Sequence, residues 1–153
     1  MIIRDFVSAD IIEITEIFEE NQESIKELKK DIPYDSQHAF NLLKVISKKE
    51  EFVMLVAEEK YKVVGVFIGM ISPAFWNPNI VQISELALNT LTTLENKVQA
   101  QIQLDLLNKA EKISLKFGCK NMLIATSPIY SMGKRLSKIG YKKISETYNK
   151  EIV

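Results

Sequence analysis

Glu85 is the side chain in this 153-residue chain best placed to do chemistry. It lies in an apolar-rich run, residues 81–88, that reads as a β-strand. A carboxylate held on a strand can take a proton from an amine, directly or through water. Alternation puts Glu85 on the same face as Ile83 and Ala87, a partly apolar setting that raises a carboxylate's pKa. The competing role is structural: a carboxylate that anchors a neighbouring loop by hydrogen bonds. Other reactive side chains are few. The single Cys, Cys119, reads as a small buried residue at a strand start. The single His, His38, falls at the start of a helix, where a surface position is expected. One Cys and one His supply neither metal-ligand spacing nor a Cys–His pair close in sequence, so no metal is expected.

Two polar or aromatic groups stand out besides Glu85. Gln99, Gln101 and Gln103 alternate at the start of a long helical pattern. They read either as a polar contact surface or as good helix formers. Phe75 and the only Trp, Trp76, sit in the Pro-bounded stretch 72–79 (SPAFWNPN). Exposed there they would make a partner contact, and folded back they would cover the core. Lys134, Arg135, Lys138, Lys142 and Lys143 form a local basic cluster that reads as a solvated face.

The elements that must position these groups are legible from periodicity. Residues 2–7 suggest a first strand. Ser8 is the expected cap of a helix carrying Ile11, Ile14, Ile17 and Phe18. Residues 21–30 suggest a second, very polar helix or its mobile entry, ended by Pro33. Ser36 is the expected cap of a helix with Phe40, Leu43 and Ile46. Residues 52–57 form an unbroken apolar run, as in a strand covered on both faces. A polar turn at 58–62 returns the chain into a partner strand, 63–71, and 72–79 reads as a turn-rich loop. After the strand at 81–88, a helix from about Asn96 to Phe117 carries Val98, Ile102, Leu106, Ala110, Ile113 and Phe117 on one stripe. Gly118 closes it. Residues 121–126 suggest a buried strand, 131–139 a short basic helix, and 141–152 a last strand. The order, an antiparallel set followed by a βαβ crossover, fits one α/β (α+β) domain over residues 1–153.

The totals narrow the function classes. Twenty Lys and Arg balance twenty Asp and Glu, so no global field favours nucleic acid or an anionic membrane. The longest apolar runs are too short to span a bilayer. The start Met-Ile-Ile-Arg-Asp lacks a signal-peptide layout, and a lone Cys fits a reducing setting. A cytoplasmic location is the expectation.

This order, with these residues, resembles the GNAT superfamily of N-acyltransferases, and more narrowly the small GNAT-like proteins of tailed bacteriophages. The likeness is carried along the whole chain. Its pieces are Arg4 and Asp10, Gly65-Val66-Phe67-Ile68-Gly69, Pro73-Ala74-Phe75-Trp76-Asn77-Pro78, Ser84-Glu85-Leu86-Ala87, Leu106-Leu107, Ala110-Glu111-Lys112, Phe117-Gly118-Cys119, Gly140-Tyr141 and the run from Glu146 to Glu151. The resemblance implies a mixed, mostly antiparallel sheet of six or seven strands flanked by about four helices. It implies acetyl-CoA lying between two splayed strands, against backbone near Leu86 and Leu88. The diphosphate would rest on amides at the following helix start, where the family has Arg/Gln-x-x-Gly-x-Gly/Ala. Helix-terminal N–H groups and the helix dipole favour an anion, and glycine lets it approach the backbone. Here that segment is Val98, Gln99, Ala100, Gln101, Ile102 and Gln103, and no glycine occurs between Gly69 and Gly118. Three long side chains would crowd a diphosphate, and Glu95 adds repulsion. The family's acid, a Tyr four residues before the Gly of the last helix, is replaced by Leu136. The resemblance therefore implies a GNAT-like protein with weakened or lost acetyl-CoA binding. It would act as an accessory, virion-associated binding protein that contacts a protein partner or itself, with a homodimer among the expectations. The alternative is an active N-acetyltransferase with Glu85 as base.

Overall fold

Residues 52–90 build the centre of the molecule because their apolar side chains alternate in phase across three long strands. In the computed structural model, which describes residues 1–24, 32–125 and 132–144, these are β2 (Phe52–Glu59), β3 (Lys62–Ala74) and β4 (Asn77–Thr90). They form an antiparallel meander, with Leu55 opposite Phe67 and Phe67 opposite Leu88. The β2–β3 turn is Lys60–Tyr61, both at positive φ, as a two-residue turn matching strand twist requires. β1 (Ile2–Asp5) adds to the β2 edge antiparallel, and β5 (Asn121–Leu123) adds to β4 in parallel. The sheet order is β1-β2-β3-β4-β5. Five strands are present among the described residues, against six or seven expected. Residues 141–144 carry no strand, and the rest of the expected last strand lies outside the described residues.

Helices cover both faces, which explains the unbroken apolar run in β2. On one face α1 (Ile11–Ser24) and α2 (Ser36–Ile46) bring Ile14, Ile17, Leu43 and Ile46 onto Met54, Val56, Val66 and Ile68. On the other, α3 (Asn96–Lys116) and α4 (Met132–Lys138) bring Ile102, Leu106, Leu107, Ala110 and Leu136 onto Leu55, Ala57, Phe67 and Ile83. Of the stripe expected for α3, Ile102, Leu106 and Ala110 are buried and Ile113 packs against the core, while Val98 and Phe117 at its ends are exposed. Gly118 follows it at φ +75°, the left-handed closure that glycine tolerates. Gly65 lets α3 approach the sheet: a Cβ there would stand 2.6 Å from Cγ2 of Ile102.

The caps differ from expectation. Asp35, not Ser36, caps α2, its carboxylate accepting from the amide of His38 at 2.9 Å. Ser8 opens a 3₁₀ turn (Ser8–Asp10) ahead of α1, and the Asp10 carboxylate accepts from the Val7 amide at 2.8 Å. Arg4 clamps the same carboxylate at 2.8 and 2.9 Å, tying β1 to the start of α1. Asn21 to Ser24 end α1 rather than open a second helix, and the remainder of that expected helix lies outside the described residues. The stretch 72–79 is not a loop. β3 runs on to Ala74 and β4 starts at Asn77, leaving two residues, Phe75 and Trp76, between the strands.

Candidate functional site

β4 and β5 run together for only three pairs, Gln82–Asn121, Ile83–Met122 and Ser84–Leu123, and then part. Glu85 is the first residue past the parting. Its carboxylate accepts the Ala125 amide N–H at 2.9 Å across the gap. Ala125 has left the strand, so the carboxylate supplies the acceptor that the ladder no longer offers. Burial pushes the Glu85 pKa up, and the Ala125 N–H opposes that rise.

The face expected for Glu85 needs one correction. Opposite Ile68 stands Ala87, while opposite Gly69 stands Glu85, so Leu86 is an extra residue in β4. Such a bulge reverses the alternation beyond it. Ile83 packs in the α3 core and Ala87 in the α1–α2 core. Glu85, paired with Gly69 between Phe67 and Ile71, shares the α3 face with Ile83 and not with Ala87. The bulged Leu86 is 54% exposed, and Leu88 is packed against the α3 core.

Past β4 the chain turns through residues 91–95 into α3. This turn leads into the helix start at residues 98–103, where the resemblance puts a diphosphate, and its polar groups are already engaged from within. Glu20, from α1, takes the Thr92 amide at 3.2 Å and the Thr92 hydroxyl at 3.1 Å on one carboxylate oxygen. Asn21 donates to the Thr90 carbonyl at 2.8 Å. Gln99 is buried and folds back, donating to the Leu94 carbonyl at 2.6 Å and accepting from the Thr90 hydroxyl at 3.1 Å. The Leu91 amide bonds Val64, and the Val98 and Gln99 amides both bond the Glu95 carbonyl.

Val98, Gln99, Ala100, Gln101, Ile102 and Gln103 lie inside the first turns of α3, not in a loop. Backbone amides from Gln99 onward are therefore spent on helix bonds. Their side chains go three ways. Ala100 and Ile102 are buried, Ile102 in the core; Gln99 and Gln103 are buried; Val98 is exposed, and Gln101 reaches Asp105 at 2.9 Å on the solvent face. The structure thus brings Gln99 to the turn and leaves Gln101 away from it. The residues that sequence reasoning missed are Glu20, Asn21 and Thr92. They meet across about seventy positions of chain, and no local pattern announces such a contact.

The remaining expected positions are scattered. Phe75 and Trp76 form the tip of the β3–β4 hairpin, 85% and 92% exposed, in edge-to-face contact with ring centres 4.6 Å apart. Leu136 is buried in the α3-side core, while Lys134 and Lys138 point to solvent. Among the described residues no three His, Cys, Asp or Glu side chains gather as a metal site, and no helix is long and apolar enough to cross a membrane.

No protein-family model matches the chain, and no curated protein sequence matches it. Solved structures do. An acetyltransferase from Trypanosoma brucei superposes with TM-score 0.72 at 15% identity, covering 99% of each chain. A GNAT family acetyltransferase from Staphylococcus aureus gives 0.68 at 16% identity, over 99% of this chain and 98% of the other. A transcriptional regulator from Bacillus halodurans gives 0.77 at 15% identity, over 99% of each chain. The chain has the GNAT fold. At these identities the likeness is one of architecture, and the neighbours themselves bear different functional names.

Proposed function

We propose that this is a GNAT-fold binding or accessory protein in which acetyl-CoA binding is weakened or lost. One observation carries the reading: the Glu20 carboxylate already occupies the donors of Thr92 in the turn that leads into the expected diphosphate segment, residues 98–103. A second anion brought there meets a fixed negative charge and finds its hydrogen-bond donors taken. The residues present do not fit the diphosphate of acetyl-CoA. The likeness to small tailed-phage proteins suggests an accessory, virion-associated setting for such a protein. Contact with a protein partner or with itself would then be its work, and the exposed Phe75 and Trp76 suit that.

A second reading, an N-acetyltransferase with Glu85 as base, is favoured by one feature. Glu85 is half-buried where β4 and β5 part, and burial raises its pKa toward the range useful for proton transfer.

Calorimetry and thermal unfolding with millimolar acetyl-CoA decide between them. A ligand at about a hundred times its dissociation constant would add about 2.7 kcal/mol of stability. The expected result is no heat and no shift for the natural chain. Glu20→Ala, which frees the Thr92 donors, is expected to acquire a response to pyrophosphate. Saturable acetyl-CoA binding by the natural chain would overturn the first reading.

A further inference from the structure

We propose that the gap between β4 and β5 binds an extended, basic segment of a partner protein, which adds to the free edge of β4 as a strand. The inference deepens the binding reading above and rests on it, since the segment takes the place that the resemblance gives to a cofactor. The segment is held there and not acylated.

The free edge follows from the ladder. The Leu91 amide donates to the Val64 carbonyl of β3. Bonding alternates along an antiparallel pair, so Asn89, opposite Val66, and Ala87, opposite Ile68, also direct their main-chain groups at β3. The phase agrees across β3, whose Ile71 amide bonds Glu51 on the β2 side. Leu88 and Thr90 therefore direct their groups away from β3, to the side that β5 has left after Leu123. The Thr90 carbonyl is taken by Asn21 at 2.8 Å. The Leu88 N–H and C=O and the Thr90 N–H have no partner among the described residues. Edge groups of this kind are completed by strand addition.

Gln103 points to the same gap. It is only 9% exposed, yet its side-chain amide makes no hydrogen bond with a described residue. No side-chain N or O among the described residues is both sealed from solvent and unbonded, so this amide faces an opening and not the core. Its neighbours on α3 locate that opening. Gln99, one turn earlier, bonds the Thr90 hydroxyl. Glu111, two turns later on the same side, bonds the Tyr141 hydroxyl, which lies 3.0 Å from the sulfur of Met122 in β5. Met122 is the partner of Ile83, so α3 runs back along β4 from Thr90 towards Ile83. Gln103 falls between them, about 6 Å from the Thr90 end. That places it over the stretch beside Leu88, where β5 is no longer paired.

Charge selects the segment. Glu85 stands where the strands part, on the α3 face. One of its oxygens accepts from Ala125, and the other has no partner among the described residues. No other charged side chain occurs in residues 85–90 or 121–125, and no Lys, Arg or His occurs between Lys62 and Lys97. An anionic ligand therefore finds no opposite charge on these walls. A lysine or arginine turned to the α3 face would meet the Glu85 carboxylate and the Gln103 amide oxygen, while its main chain completes the β4 ladder.

Three short peptides with blocked ends test this: valine alternating with lysine, with threonine or with glutamate. In NMR titrations the lysine peptide is expected to shift the Leu88 and Thr90 amides and the Gln103 side-chain NH₂. It is expected to bind at least about tenfold tighter than the glutamate peptide, with the threonine peptide between. Glu85→Gln is expected to bring the three together. Gln103→Leu keeps the volume and drops the amide. It is expected to weaken the lysine peptide at least about fivefold, while its melting temperature holds or rises. An amide with a purely structural duty would instead cost stability when removed. No binding at millimolar peptide overturns the proposal. So do shifts confined to residues away from the gap, and so does equal binding of the lysine and glutamate peptides by the natural chain. Acetyl-CoA is titrated separately. Its binding overturns the accessory reading, whereas silence of both ligands overturns strand addition alone.

Discussion

At the level of single residues, Glu85 behaves first as a structural acceptor. It closes the gap that opens where Ala125 leaves the ladder. Its pKa is raised by burial, against the pull of the Ala125 N–H. A carboxyl whose folded pKa exceeds its unfolded value, about 4.3 for Glu, favours the folded state when protonated. That contribution is full below the unfolded pKa and is lost as pH rises through the folded one. At neutral pH the ionised group therefore opposes folding. Glu85→Gln keeps an oxygen for Ala125 and removes the charge. Its melting temperature is expected to exceed that of the natural chain at neutral pH, and the difference to close as pH falls below the carboxylate range. A variant less stable at neutral pH, or a gap that ignores pH, would show the anchor to need its charge. The position of Glu85 on a strand is legible in the sequence, but its company is not. Period-two alternation pairs it with Ala87, and only the extra residue Leu86 separates them. Nothing in the side-chain pattern marks that bulge. Gln99 is a similar case: a helix-start glutamine looks solvated until the Thr90 hydroxyl and the Leu94 carbonyl are brought within its reach.

Whole elements are more legible, because each is set by many side chains at once. The run in β2, the middle of the α3 stripe (Ile102, Leu106, Ala110) and its closing Gly118 are fixed by periodicity and sterics, and all three are in place. The outer part of the β3–β4 hairpin is not legible, because Pro73 and Pro78 read as loop. Proline is tolerated at a strand edge where its missing N–H would have no partner. An isolated ribbon has such edges on both sides. The contact of α3 with the sheet yields a prediction at this scale. Gly65→Ala would put a Cβ 2.6 Å from Ile102 Cγ2, so the helix start must move or the side chain must rotate. Overpacking of this kind costs about 1–3 kcal/mol. Urea unfolding is expected to show that loss. In the Gly65→Ala, Ile102→Ala double variant the two losses should add to less than their sum, by at least about 0.5 kcal/mol, because the alanine at 102 removes the obstacle. Full additivity would place the strain elsewhere, against Thr90 or the Asn89 carbonyl, the next atoms a Cβ would meet.

For the whole molecule, the distribution of charge separates two kinds of association. The chain is neutral overall, with twenty basic and twenty acidic residues. All forty lie outside the 22-residue stretch, 63–84, that holds the tip of the β3–β4 hairpin. Association led by opposed surface charges weakens steeply with salt, because the Debye length falls from about 10 Å to about 3 Å between 0.1 M and 1 M. Self-association through the exposed Phe75 and Trp76 would bury aromatic carbon. Its driving force is removal of apolar surface from water, and excluded salts such as sulfate strengthen that force. The dissociation constant of a pair formed through this tip, followed by sedimentation, is therefore expected to stay within about twofold as sodium chloride rises across that range, where screening would dissolve a charge-led pair. Sodium sulfate is expected to lower it. The heat capacity change of association, read by dilution calorimetry at several temperatures, is expected to be negative. A dimer that sodium chloride disperses would assign the contact to charged surface elsewhere on the chain, leaving Phe75 and Trp76 without that role.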